Sequence, residues 1–284
     1  MDSLSSFPLL YSKDFKLLSA PTDEQLQDIC GTIKWRMERL VQSEIPKVSV
    51  VFPAYNEEMY LPLMLWTLSK LSTLLPIEII WVNNASTDRT WEIISQSWVI
   101  RIDESMKWVS YARQAWLENA KWEIIATTDA DTQVSSAWID TSLSYLMQKN
   151  LVCFSGGSEP NGWHISYWIT KRIVREMRRL SKTPVSGLMS FPGHNMFFSK
   201  AAALSVWGYV LWTDLWEDNL LARKLSTQGN IMRVDDDPHM QVLTSARRIA
   251  TMSRVSSLVF SRLKIFHLNY DKINTTWQTF RDIR

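Results

Sequence analysis

From residue 48 onward the sequence alternates short β-branched runs with helical stretches, and that alternation leaves little besides an α/β fold open to it. Apolar runs at 48–52, 77–82, 97–102 and 123–128 read as strands. Segments 57–71, 88–96 and 110–120 between them read as helices. A βαβαβαβ series with ordinary right-handed crossovers makes a mostly parallel, Rossmann-like sheet flanked by helices. The second half is less regular: strands are expected at 152–155 and 196–198, and helices at 163–180 and 217–225.

Ligands of such sheets bind beyond the carboxyl ends of the strands, and the polar clusters of this chain fall there. Pro53, Ala54, Tyr55, Asn56 and Glu57 follow the first strand, 83–88 follow the second, and Asp129, Ala130 and Asp131 follow the fourth. Asp129 and Asp131 stand two apart at an expected turn, so one can take a metal while the other holds a ligand hydroxyl. Hard carboxylate oxygens with few other protein ligands suit Mg²⁺ or Mn²⁺ on a diphosphate. A solvated turn explains an isolated Asp-x-Asp equally well.

Ahead of this region, 1–46 form an expected N-terminal helical extension. Leu26, Ile29, Ile33, Met37 and Leu40 keep a helical period over 23–41, and Thr22 starts the helix. The balance of 31 basic and 29 acidic residues excludes a strong uniform field for holding nucleic acid. Two cysteines, Cys30 and Cys153, make neither a disulfide framework nor a zinc-site spacing. With no signal-peptide pattern and no long uncharged apolar run, the expected location is the cytoplasm. Six basic residues (Lys171, Arg172, Arg175, Arg178, Arg179, Lys182) recur at helical spacing against Glu176 alone. A peripheral helix on anionic lipid at the inner face of the membrane and a solvated basic helix face both fit them.

Six segments in order, VSVVFPAYNEE (48–58), WVNNASTDRT (81–90), SYARQA (110–115), IIATTDADT (124–132), GHNMFF (193–198) and EDNLLARKL (217–225), resemble the GT-A glycosyltransferases of family 2. The resemblance covers about 46–248. It implies a GT-A catalytic domain at 47–250, with a nucleotide-sugar half at 47–135 and an acceptor half at 136–250, followed by an amphipathic tail at 251–284. The implied activity is metal-assisted, inverting transfer of a sugar from a nucleotide-diphosphate donor, a UDP-sugar among the candidates, to a glycan or lipid-linked hydroxyl acceptor.

Carried over by motif, the resemblance places Pro53, Ala54, Tyr55, Asn56, Glu57 and Asn84 around the nucleoside and Arg113 near the base and phosphates. Asp129 and Ala130 fall on the donor side, and Mg²⁺ or Mn²⁺ on Asp131 beside Asp129. Asp218 becomes the general base, with Glu217 positioning the acceptor beside His194, Asn195 and Trp216. Arg247 and Arg248 become phosphate contacts. Carboxylates at a helix start are also stabilised by the helix dipole without any catalytic role.

The chain departs from the family pattern at Asn83, where an acid is usual, at Ala85, where glycine is usual, and in the bulky Trp108, Trp116, Trp122 and Trp216. Only 8 glycines stand against 15 tryptophans in the whole sequence. Ala85 would be strained in a turn that needs positive φ. These departures keep a second reading open, a catalytically impaired sugar-nucleotide or glycan-binding protein of the same fold. A nucleotidyltransferase fits less well, because no glycine-rich phosphate loop follows the first strand.

Overall fold

The computed structural model describes residues 22–41, 48–73, 75, 77–97, 99–161, 191–213 and 217–245. They belong to one compact unit; a second unit, Gly162–Ser190 with Ala246–Arg284, lies outside the described residues. The expected helix at 163–180, the basic run 171–182 and the tail 251–284 therefore lie outside them too, as do Trp216, Arg247 and Arg248.

In chain order the elements are α1 (Asp23–Val41), β1 (Val48–Ala54), α2 (Leu61–Ser69), β2 (Ile77–Asn83), α3 (Thr90–Ser95), β3 (Ile100–Asp103), α4 (Val109–Asn119) and β4 (Ile124–Thr127). There follow β5 (Thr132–Gln133), α5 (Trp138–Lys149), β6 (Leu151–Gly156), β7 (Ser158–Asn161), β8 (Met196–Ser199), α6 (Lys200–Ser205), α7 (Glu217–Leu225), β9 (Asn230–Val234) and β10 (Val242–Ser245).

Among the described residues, seven strands form one sheet in the order β3-β2-β1-β4-β8-β6-β9. β1 pairs in parallel with β2 and β4, and β2 with β3, while β8 runs antiparallel to both β4 and β6. The order turns back between β1 and β4, so a crevice opens at their carboxyl ends. β1 is buried along nearly its whole length, as a central strand covered on both faces should be. A smaller sheet, β5-β10-β7, lies beside that crevice in sequence, because β5 follows Asp131 directly.

α1 begins on a reciprocal cap. The Thr22 amide donates to Gln25 Oε1 at 3.0 Å and the Gln25 amide donates to Thr22 Oγ1 at 3.2 Å. Its Leu26, Ile29 and Ile33 enter the same core as Val48, Val50 and Ile79 of the sheet. Among the described residues no helix is long and apolar enough to cross a membrane.

Several boundaries differ from the sequence expectation. α2 starts at Leu61 rather than 57, because the Tyr60 and Leu61 amides both donate to the Glu57 carbonyl in a turn and Pro62 suits the first helical turn. β3 starts at Ile100 rather than 97, since the Ser97 amide and hydroxyl both bond back to the Ile94 carbonyl and extend the turn after α3. α5, α6, β9 and the small sheet were not among the expected elements. α5 nonetheless buries Trp138, Ile139, Ser142, Leu143 and Leu146 at helical spacing. Trp116 is fully buried, edge-on to Tyr209 at 5.3 Å, so this departure from the family pattern fills the core.

Candidate active site

The loops after β1 and β2 are sewn to each other. The Asn84 amide donates to the Ala54 carbonyl, the Asn56 amide to Ser86 Oγ, and the Thr87 amide to Asn56 Oδ1 at 2.8 Å. The Glu57 amide donates to Thr90 Oγ1 at 2.8 Å. Pro53, Ala54, Tyr55, Asn56, Glu57 and Asn84 thus share one wall of the crevice, where the Asn56 side chain supports the neighbouring loop. Asn84 is buried, its Nδ2 donating to the Lys107 carbonyl at 3.4 Å while its Oδ1 has no hydrogen-bond partner.

Asn83 closes the second loop: its Oδ1 accepts from the Ser86 amide and its Nδ2 donates to Asp103 Oδ1, both at 3.0 Å. A carboxylate could make the first bond, but facing Asp103 it would repel. Ala85 has φ 62°, so the strain expected of an alanine in a glycine-favouring turn is present. Ala85→Gly is expected to stabilise the protein by about 0.5–1 kcal/mol, the gain in the turn partly offset by the freer unfolded chain. A urea midpoint that stays put or falls would contradict this.

After β4 the chain turns through Asp129, whose carbonyl accepts from the Thr132 amide at 3.0 Å. The two carboxylates then meet different neighbours. Asp129 Oδ1 lies 3.4 Å from Arg113 Nη2, and Asp129 Oδ2 is 4.0 Å from His194 Nδ1. Asp131 Oδ1 accepts from Thr244 Oγ1 at 3.3 Å, because Thr244 on β10 is paired with Thr132. Ala130 between them is buried.

Arg113 holds this centre together. Its Nε lies 3.2 Å from Glu217 Oε1 and its Nη1 lies 3.1 Å from Asp218 Oδ1. The Arg113 side chain is 5% exposed, against 8% for Glu217 and 11% for Asp218, so these are buried ion pairs. One guanidinium thus faces three carboxylates: Asp129 in the turn after β4, and Glu217 and Asp218 at the start of α7. Burial pushes the Asp218 carboxyl well above the ordinary carboxylate range. Arg113 pulls it down, while Glu217 and Asp129 push it further up. Gly193 packs directly on the pair, and a Cβ there would overlap both the Asp218 carboxylate and the Arg113 guanidinium.

The other expected residues divide. His194 is half-buried at the cluster. Asn195, expected to touch the acceptor, is instead fully buried: its Nδ2 donates to the Gly157 and Met240 carbonyls, and its Oδ1 accepts from Trp138 Nε1 at 2.9 Å. With both donors and the acceptor engaged in the core, the side chain anchors the turn that carries His194. Tyr209 and Thr244 are members of the centre that the motifs do not mark. The Tyr209 ring is buried, and its phenol is raised well above its ordinary value by burial and then by the nearby Asp218 charge. Arg113 itself had a sequence signal. It shares the buried stripe of α4 with Ser110 and Leu117, and a charge at a core position needs partners.

The glycosyl transferase family 2 model matches residues 49–206, which carry β1 to α6 and with them Arg113, Asp129 and Asp131. The chain belongs to glycosyl transferase family 2. An uncharacterized glycosyltransferase from Haemophilus influenzae is 28% identical over 120 residues, 39% of this chain; the chain spans about half the length of that relative (47%). Solved structures share the GT-A fold. A mannosyltransferase from Pyrobaculum calidifontis, in complex with GDP-Man and Mn²⁺, has TM-score 0.56 at 19% identity, covering 78% of this chain and 69% of its own. TarS from S. aureus, in complex with UDP-GlcNAc, has TM-score 0.54 at 17% identity, covering 70% and 58%. Glucosyl-3-phosphoglycerate synthase from Mycobacterium tuberculosis, in complex with phosphoglyceric acid, has TM-score 0.54 at 15% identity, covering 86% and 83%.

Asp131 is the residue of this family 2 chain that the motifs mark for a metal. Among the described residues no group of three or more His, Cys, Asp or Glu side chains could hold an ion. Asp131 offers a hard oxygen at the edge of the crevice, 9% exposed. A hard carboxylate oxygen of this kind would suit Mg²⁺ or Mn²⁺.

Proposed function

We propose that this chain is an inverting glycosyltransferase that moves a sugar from a nucleotide-diphosphate donor to a hydroxyl of a glycan or lipid-linked acceptor. The observation that carries the reading is the Arg113 cluster, which brings the donor-side Asp129 and the acceptor-side Glu217 and Asp218 onto one guanidinium. Family 2 membership and neighbours solved with GDP-Man and UDP-GlcNAc support the donor class.

In this reading the paired loops from Pro53 to Glu57 and at Asn84 receive the nucleoside, and Asp129 and Ala130 line the donor side. Asp131 would hold a divalent cation, which would supply positive charge against the charge that gathers on the leaving diphosphate. Asp218 takes the proton of the acceptor hydroxyl as its oxygen attacks the anomeric carbon from the face opposite the diphosphate, which inverts the centre. A carboxyl whose pKa burial raises well above the ordinary range is a stronger proton acceptor than an ordinary aspartate. Glu217 holds Arg113, and through it the base, while His194 borders the acceptor. Arg247 and Arg248 remain proposed phosphate contacts, and Trp216 a proposed acceptor contact. Peripheral attachment to anionic membrane through 171–182 is tested by vesicle flotation at low salt, where failure to bind removes it.

A thermal-shift screen of UDP- and GDP-sugars with and without Mn²⁺ tests the donor reading, since a ligand that binds only the native state raises the midpoint. The expected result is a metal-dependent rise with one donor, and its loss in Asp131→Ala. No rise with any donor, or an undiminished metal-dependent rise in Asp131→Ala, would overturn it.

A further inference from the structure

Between α6 and α7 the chain holds two tryptophans in the open: Trp207 is 88% exposed and Trp212 is 58% exposed. Both have positive φ, 65° and 66°, a conformation that bulky side chains rarely adopt and that persists only where the surroundings enforce it. The enforcement is visible. The Gly208 carbonyl accepts from Lys224 Nζ at 2.9 Å, the Tyr209 amide donates to Gln114 Oε1 at 2.9 Å, and the Thr213 amide donates to Ser110 Oγ at 3.4 Å. The Tyr209 ring packs against Trp116 beneath. The loop is therefore fastened along α4 while its tryptophans stay outside.

Of the two, Trp212 packs on the first turn of α4. Its ring meets Tyr111 edge-on, centroids 5.2 Å apart at 86°. Tyr111 lies in the first turn of α4, two residues before Arg113, and Ser110, which holds Thr213, lies one helical turn ahead of Arg113. That turn of α4 follows β3 and so sits on the carboxyl-end side of the sheet, where the crevice opens. Trp207 belongs to the far end of the loop, where the Gly208 amide bonds the Ala203 carbonyl of α6.

The surroundings of the pair select its occupant. Glu104, whose amide donates to the Asn83 carbonyl at 3.0 Å where the loop after β2 meets the crevice, acts on the Tyr111 phenol. A carboxylate there repels phosphate and anionic headgroups but accepts hydrogen bonds from hydroxyls. An exposed indole edge-braced by a phenol offers an apolar surface with polar acceptors around it. A neutral pyranose matches both, with C–H groups on one face and hydroxyls at its rim.

We propose that Tyr111 and Trp212 form an acceptor subsite that takes a neutral sugar ring neighbouring the one whose hydroxyl reacts. This rests on the reading of Asp218 as the base that faces the acceptor. Saturation-transfer NMR on the full chain with cellobiose, maltose, mannobiose and N,N′-diacetylchitobiose tests it. The expected result is binding of at least one disaccharide, weakened roughly fivefold to tenfold in Trp212→Ala and unchanged in Trp207→Ala. In turnover assays the acceptor KM rises with kcat nearly retained.

Absence of binding by every disaccharide overturns the proposal, as does an equal loss in both variants. Phosphatidylglycerol vesicles that bind through Trp212 with no disaccharide binding also overturn it, in favour of a lipid-facing loop. If Trp212→Ala does not fold, Tyr111→Leu removes the other ring and is expected to weaken the same disaccharide; undiminished binding overturns the subsite. A nucleotide-sugar thermal shift on the wild type separates the two levels: a shift without disaccharide binding rejects the subsite alone, and no shift rejects the donor reading beneath it.

Discussion

Asp218→Asn is expected to bind a nucleotide sugar and fail to transfer it. The amide preserves the size of the side chain and a contact to Arg113, but cannot accept the acceptor proton, so kcat should fall by about 10²–10⁴-fold while donor affinity holds. Turnover measured beside the donor thermal shift separates the two effects, and wild-type-like turnover would remove Asp218 from its role. The same variant carries a pH signature. The wild-type carboxyl is raised on folding by burial first, against Arg113, with Glu217 and Asp129 adding to the rise and the Tyr209 hydroxyl opposing it. The folded state therefore binds a proton more tightly than the unfolded chain. Its contribution to stability is complete below the ordinary value of 3.8 and is lost as pH rises through the raised one. Asp218→Asn should lack that decline, so the stability gap between the variant and wild type should shift in the variant's favour from acid to neutral pH. Parallel pH profiles of the two unfolding midpoints would contradict it.

Arg113→Met should cost about 3–5 kcal/mol of stability at neutral pH. The methionine fills part of the space but leaves Asp129, Glu217 and Asp218 facing one another with the cation gone. The loss should shrink toward acid pH, where protonation relieves the repulsion, and urea unfolding at pH 5 and pH 7.5 measures it. Arg113→Lys should recover only part, because one ammonium cannot reproduce a planar fork that meets three carboxylates through Nε, Nη1 and Nη2. A loss below about 1 kcal/mol in Arg113→Met would mean that the cluster is solvated enough to do without its cation.

Much of the first half, from β1 to β4, can be read along the chain. The runs of β1, β2 and β4 carry their own β-branched periodicity, and the polar loops follow them directly, so local sequence is enough to place Pro53 to Glu57 and Asn84 around one crevice. Ala85 is legible for a similar reason: a turn short enough to need positive φ advertises its strain in the residue that replaces glycine. The second half is harder because its strands pair across long gaps. β8 inserts between β4 and β6, and β10 joins β5 across more than 100 residues, so neither pairing leaves a local pattern. Asn195 illustrates the limit. Its place in a motif suggests a ligand contact, but the backbone carbonyls of Gly157 and Met240, which occupy its amide, come from two distant segments.

Residue order alone determined that this chain folds as α/β and that its carboxylates lie at strand and helix ends, because hydrophobic period and turn chemistry act over a few residues. It also supplied the motifs by which the family 2 resemblance could be seen. Only the tertiary structure decided that Asp129, Glu217 and Asp218 converge on Arg113, that Thr244 reaches Asp131, and that Trp212 rather than Trp207 packs on Tyr111. Those contacts join segments from about 15 to more than 100 residues apart, and only the closing of the sheet and the packing of α4 and α7 against it bring such groups within ion-pair and hydrogen-bond reach.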